Sequence, residues 1–130
     1  MEPLFLTISE VLDIHRDQIE RYGGTQGLRD IGLSSSAIAQ PAASFGGKFL
    51  HPDIYTMAAA YLFHIVQNHP FIDGNKRTGA VATAVFHAVN DIDFDADESE
   101  FESVVLAVAE GKMGKAQIAD FIRLNSNPLL

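Results

Sequence analysis

Apolar residues recur every three or four positions along most of the chain, and the runs are bounded by residues that start or stop helices. Ile8, Val11, Leu12, His15, Ile19 and Tyr22 share one face at this spacing. Thr7 followed by Glu10 has the form of a capping box, so a helix is predicted to start after Thr7. Gly23 and Gly24 end it, because glycine takes the left-handed position after a last turn at little cost. Asp30 is placed to cap a short helix running to about Gln40, which Pro41 terminates. Residues 41–51 hold Pro41, Gly46 and Gly47 and read as irregular, with Phe49 and Leu50 offering a short extended piece. A helix follows from about Pro52 to Asn68, Pro52 being tolerable in a first turn. Met57, Tyr61, His64 and Ile65 share a face of it.

Pro70 and Gly74 both oppose a continuing helix, so His69 to Gly74 is predicted to be a loop. A second long helix runs from about Asn75 to Val89. Its small residues, Gly79, Ala80, Ala82, Ala84 and Ala88, let neighbours approach closely and point to a central place in a bundle. Residues 90–96 form a polar connection. Asp97 can cap a helix to about Glu110, Gly111 and Gly114 mark a break, and a last helix covers about Lys115 to Leu124. No run has a convincing period of two, and there is no internal repeat. The prediction is a single all-α domain over residues 1–130.

Composition narrows the chemistry. The chain has 130 residues, 47% of them apolar, enough for a continuous core without covalent staples. The absence of cysteine excludes disulfides, thiolate catalysis and cysteine-ligated zinc, and is compatible with a reducing cytosol. No charged start precedes a long apolar run, so neither a signal peptide nor a membrane span is expected, and a cytoplasmic location is. The net charge of −8 repels nucleic acid backbones, so no direct nucleic acid partner is expected. Much of that charge lies in one block, Asp91, Asp93, Asp95, Asp97, Glu98, Glu100 and Glu102. It reads as a solvated loop and helix start, or alternatively as a docking surface for a basic partner.

The candidate chemistry lies in His69-Pro70-Phe71-Ile72-Asp73-Gly74-Asn75-Lys76-Arg77-Thr78-Gly79. A helix entered at Asn75 points free N–H groups and partial positive charge at its first turn, which suits an anion. Gly74 lets backbone come near a phosphate. Arg77 matches phosphate fork geometry and Lys76 acts as a movable point charge. Asn75 can cap the helix or give its amide to a phosphate oxygen. Asp73 is a hard oxygen ligand, and magnesium on phosphates needs only one or two protein carboxylates. His69 can take a proton from an attacking hydroxyl. Phe71 is expected to plug the loop into the core and fix the height of His69 and Asp73. Base, metal ligand and phosphate cradle suffice for phosphoryl or nucleotidyl transfer. The alternative is an ordinary His-Pro turn with a solvated Lys-Arg pair. Cations at a helix start oppose the dipole, however, unless an anion arrives.

These residues resemble the signature of Fic-domain proteins, His-Pro-Phe-x-Asp/Glu-Gly-Asn-Gly-Arg-x-x-Arg. They are more similar to the death-on-curing (Doc) branch, where Lys replaces the second Gly and Thr follows the Arg. The match is His69, Pro70, Phe71, Asp73, Gly74, Asn75, Lys76, Arg77 and Thr78. Arg21-Tyr22-Gly23-Gly24, Leu28-Arg29-Asp30 and the run to Pro41 also resemble the N-terminal part of Doc-like toxins, so the likeness covers essentially the whole chain. It implies a six-helix Fic fold, ATP and Mg2+ as cofactors, and a toxin–antitoxin role. Fic enzymes move AMP from ATP onto a protein hydroxyl. Doc places phosphate on a threonine of elongation factor Tu and stops translation, and its Phd-like antitoxin folds over the site. Lys76 stands where Fic has Gly and crowds the Fic position of the ATP phosphates. Ala80 stands where Fic has its last Arg. Both departures favour the kinase-like branch, while Gly74 is Fic-like. Protein adenylyl transfer is the alternative activity, and a non-catalytic Fic-fold binding protein is the third reading. Glu110-Gly111 could end the family's inhibitory motif, but Leu106 occupies its first position, which implies inhibition by another chain.

Three histidines lie outside the motif. His64 is expected to be a satisfied core or supporting histidine. Lys48, Phe49 and His51 are candidates for docking a protein substrate, the alternative being an ordinary surface loop. A hydrolytic metal site from His64, His69 and Asp73 lacks the tight helical spacing of a zinc pair.

Overall fold

Between Ile54 and Asn68 no residue is exposed, and Met57 to Leu62, Ile65 and Val66 are buried. A helix apolar on every side belongs in the middle of a bundle. In the computed structural model, which describes residues 2–128, this helix packs against four of the other five described helices. The described elements are α1 (Ile8–Tyr22), α2 (Ile31–Ala39), a 3-10 turn (Gln40–Ala42), β1 (Ser44–Phe45), β2 (Lys48–Phe49), α3 (Ile54–Asn68), α4 (Asn75–Val89), β3 (Ile92–Phe94), α5 (Glu98–Ala109), α6 (Lys115–Leu124) and β4 (Ser126–Pro128). The chain is mainly helical, as the periodicity predicts, and six helices match what the resemblance implies. No described helix is long and apolar enough to cross a membrane.

The start signals act as read. Thr7 accepts from the Glu10 N–H at 3.1 Å, and Glu10 Oε1 accepts from the Thr7 N–H at 2.8 Å, completing the capping box of α1. Asp30 and Asp97 cap α2 and α5. Pro52 lies outside α3, whose cap is Asp53. Pro41 does not stop the coil. It sits in the 3-10 turn that extends α2.

Two expectations change. Residues 41–51 are not wholly irregular. Ser44 pairs with Phe49 and Phe45 with Lys48, in a hairpin closed by Gly46 and Gly47 at φ +60° and +79°. Positive φ at both central residues matches the twist of the flanking strands. The connection after α4 likewise contains β3, antiparallel to β4 with Asp93 opposite Asn127. Strands of two or three residues are too short for alternation to stand out in the sequence.

The small residues of α4 do only part of what was expected. Gly79 does meet α3 closely: a Cβ there would lie 2.9 Å from Val66 Cγ2. Ala84 and Ala88, though, face solvent, and the centre belongs to α3. Small size permits close approach but does not require it. Helix α4 also packs against α1, which brings the loop between α3 and α4 over the C-terminal end of α1.

Candidate active site

The loop from His69 to Gly74 is held by partners far away in sequence. His69 closes α3 in the left-handed region, with φ 48° and ψ 56°. Arg29 grips the same end: Nε donates to the His69 carbonyl at 2.6 Å and Nη2 to the Asn68 carbonyl at 2.7 Å. A guanidinium suits the negative end of a helix, where carbonyls lack intrahelical partners. The main chain adds a short antiparallel contact. Leu28 bridges Phe71, the Arg29 N–H donates to the Pro70 carbonyl at 2.8 Å, and the Ile72 N–H to the Gly27 carbonyl at 3.1 Å. Phe71 is 1% exposed and plugs the loop into the core, leaving the His69 and Asp73 side chains in solvent.

Asn75 does not cap α4. Its Oδ1 accepts from the Phe71 N–H and its Nδ2 donates to the Phe71 carbonyl, both at 3.0 Å, and it is buried. Its carbonyl oxygen and one of its two amide hydrogens are spent on closing the loop, which leaves its backbone N–H and the second amide hydrogen for an anion. The N-cap is Gly74, left-handed at φ 78°, with no side-chain cap.

Both carboxylate oxygens of Asp73 are held by main-chain donors. Its Oδ2 accepts from the Thr25 N–H at 3.1 Å and its Oδ1 from the Gly74 N–H at 2.8 Å. These two bonds, Thr25 first, hold its carboxyl below the usual carboxylate range, with Arg77 and His15 adding to them against a small opposing effect of burial. Each oxygen keeps a lone pair, so the carboxylate can still take a cation. Gly24 comes close enough that a Cβ on it would lie 2.6 Å from Oδ2.

Helices α1, α2, α3 and α5 each begin with a side-chain cap. Helix α4 has none, and its first turn carries Lys76 and Arg77 with no acidic residue. Its N–H groups are therefore left for an outside acceptor. Lys76 is exposed. Arg77 is partly engaged: Nη2 donates to the Gly23 carbonyl at 2.8 Å, and the guanidinium lies 5.8 Å from the Tyr22 ring centre. His69, Asp73, Gly74, Asn75, Lys76 and Arg77, with Ile72, line one pocket of about 430 Å³. A second groove of about 590 Å³ between α1, α4 and α5 shares Lys76 and Arg77 with it. The described residues hold no group of three or more His, Asp or Glu able to ligate a metal. A magnesium ion would have one carboxylate here, Asp73, with phosphate oxygens and water completing its shell.

Sequence reading missed His15, Gly24, Thr25 and Arg29 as parts of the site. The family resemblance of Arg21-Tyr22-Gly23-Gly24 and Leu28-Arg29-Asp30 was the one signal that touched two of them, Gly24 and Arg29, and His15 stood out only as a helix-face position.

The other histidines are elsewhere. His64 Nε2 lies 3.2 Å and His51 Nε2 3.4 Å from Lys115 Nζ, while Lys48 and Phe49 are exposed on the hairpin. His64 is pushed down to about 4 by burial first, then by Lys115 and His51. His51 and His87 are also lowered, chiefly by burial. A histidine held neutral in the fold titrates lower than in the unfolded chain, where about 6.5 is usual. Between those values the unfolded chain takes the proton and the folded chain does not, so acid favours unfolding. Stability should be complete above pH about 6.5 and fall as pH drops toward about 4. Asp53 and Asp73, both lowered, add their own loss only below that window. A melting-temperature series across this range tests it. A flat series would contradict the neutral histidines, and His64→Gln should flatten part of the slope.

Comparison with known proteins gives the family of the chain. The family model described as the Fic/DOC family matches residues 5–87. Over 83 residues the chain is 39% identical to "Toxin Doc" of Mycolicibacterium smegmatis, covering 61% of this chain and 64% of that protein, just under two thirds of its length. Over 114 residues it is 28% identical to "Protein kinase doc" of Escherichia phage P1, covering 88% of this chain and 89% of that one. The family match takes in α1 to α3, most of α4 and with them every residue that lines the pocket around His69, so this chain belongs to the Fic/DOC family.

Proposed function

We propose that the chain is a Doc-like toxin that transfers phosphate from ATP to a Ser or Thr hydroxyl of a target protein. The observation that carries this is the uncapped start of α4, with Lys76 and Arg77 in its first turn and His69 and Asp73 on the same pocket. ATP with Mg2+ supplies the phosphoryl group and charge neutralisation. Asp73 holds the metal, and Lys76, Arg77 and the first-turn N–H groups hold phosphate oxygens. Asn75 contributes through its backbone and by keeping the loop shut. His69 takes the hydroxyl proton while the hydroxyl oxygen bonds to the γ-phosphorus. The bond from that phosphorus to the bridging oxygen breaks, and ADP leaves. Little covalent work falls to the protein in such a transfer, so positioning and charge account for most of the rate.

Lys76 and Ala80, in place of Gly and Arg, favour phosphate over AMP transfer, and the likeness to a protein named as a kinase supports that choice. On family resemblance the target is elongation factor Tu and the regulator a Phd-like antitoxin, with inhibition of translation in the cytoplasm as the outcome. The groove between α1, α4 and α5 suits the antitoxin. Ala80, Val81, Val105 and Leu106 give it apolar walls, and a helix laid there covers Lys76 and Arg77.

Intact-mass measurement of elongation factor Tu after incubation with the chain, ATP and Mg2+ tests the reaction. A phosphate-sized gain on a threonine is expected. An AMP-sized gain would replace the kinase reading with adenylyl transfer, and no gain on any protein of a lysate would leave a binding protein.

A further inference from the structure

Helix α1 places one buried ring against the catalytic loop. His15 is 4% exposed and lies flat on Phe71, ring centres 3.8 Å apart and planes within 5°. Its Nε2 is 2.8 Å from the main-chain carbonyl oxygen of Asp73. A carbonyl only accepts, so Nε2 carries the proton and donates. That carbonyl and the Gly74 N–H are the two ends of one planar peptide unit. The Gly74 end donates to Asp73 Oδ1 at 2.8 Å. Rotation of this peptide would therefore carry the donor of the carboxylate with it. Gly74, at φ 78°, has no side chain to limit such rotation. Thr25 holds only the other oxygen.

The geometry points to His15 as a positioning residue. It donates to the Asp73 carbonyl, sets the plane of the Asp73–Gly74 peptide and through it aims the Asp73 carboxylate. Its catalytic meaning rests on the reading of Asp73 as the metal ligand, whereas the positioning is a property of the loop alone. The ring and the donor are separable. Phenylalanine keeps the stacking surface and loses the donor, and glutamine keeps a donor near the Nε2 position without the ring.

The test uses the full chain with His15→Phe and His15→Gln, and reads two quantities. One is the resonance and hydrogen-exchange protection of the Gly74 amide. The other is the Mg2+ concentration that half-saturates ATP-dependent transfer. In His15→Phe the Gly74 amide should shift and lose protection. The Mg2+ requirement should rise roughly 10–100-fold, the usual effect of removing a partner that orients a metal ligand. His15→Gln should restore both toward the parent. If the phenylalanine variant does not fold, His15→Met against His15→Gln makes the same comparison at equal side-chain length. An unchanged Gly74 amide in the donor-less variant, or a folded glutamine variant that behaves like it, overturns the inference. A Gly74 amide that responds in a parent chain with no ATP-dependent transfer leaves the positioning standing and removes the proposed function instead.

Discussion

His69→Ala should lower the rate of phosphate transfer roughly 10²–10⁴-fold, the usual loss when a positioned base is removed. The ring is exposed, so this loss cannot be ascribed to a collapsed core. Arg29 holds the carbonyls of Asn68 and His69, not the ring, so the clamp survives the substitution. One structural effect does follow. His69 is left-handed at φ 48°, a region that costs alanine roughly 1 kcal/mol or more. Asparagine tolerates that region better and is no base at neutral pH. His69→Asn should therefore keep the melting temperature and lose the rate, while His69→Ala loses the rate and a little stability. Initial rates of phosphate incorporation, beside melting curves, separate the two. Full activity in the asparagine variant would remove His69 from the role of base.

Gly24→Ala should cost about 10²-fold in rate although the new methyl group touches no substrate, because displacement of a reacting group by about 1 Å has that scale of effect. The added Cβ would lie 2.6 Å from Asp73 Oδ2 and 3.0 Å from Ile19 Cδ1. Contact that short forces the carboxylate off the Thr25 N–H. Gly23 provides the control. It too has positive φ, +85° against +122° for Gly24, but a Cβ there meets nothing within 4 Å. Gly23→Ala and Gly24→Ala both strain the backbone, and only the second displaces Asp73. Equal rates in the two variants would show that Gly24 is needed for its conformation alone.

The helices were legible because their signals are local. Thr7 with Glu10, Asp97, and Gly114 before Lys115 each act within one turn, and the bounds of α4 and α6 match the periodicity. The motif loop was legible for the same reason. The hairpin and the β3–β4 pair were not, since two or three residues hold no period. The supports of the site were hidden by distance. His15 meets Asp73 from 58 positions away and Arg29 meets His69 from 40. Neither pairing leaves a mark on local composition. The loop-closing role of Asn75 was hidden for a subtler reason. An amide beside a helix start suits capping, phosphate contact or loop closure equally well, and only the burial of Phe71, with two main-chain groups needing partners, decides among them.

The placement of His69 at the end of α3 links reactivity to the order of synthesis. Ile118, Ala119 and Ile122 of α6 are buried, and α6 packs on α3, the helix with no exposed residue of its own. While a ribosome still holds α6, an apolar side of α3 faces water, and the helix that fixes His69 has yet to settle. A growing chain therefore carries the whole motif before the helix that fixes His69 is packed. On the proposed reading, transfer would wait until α6 has docked on α3.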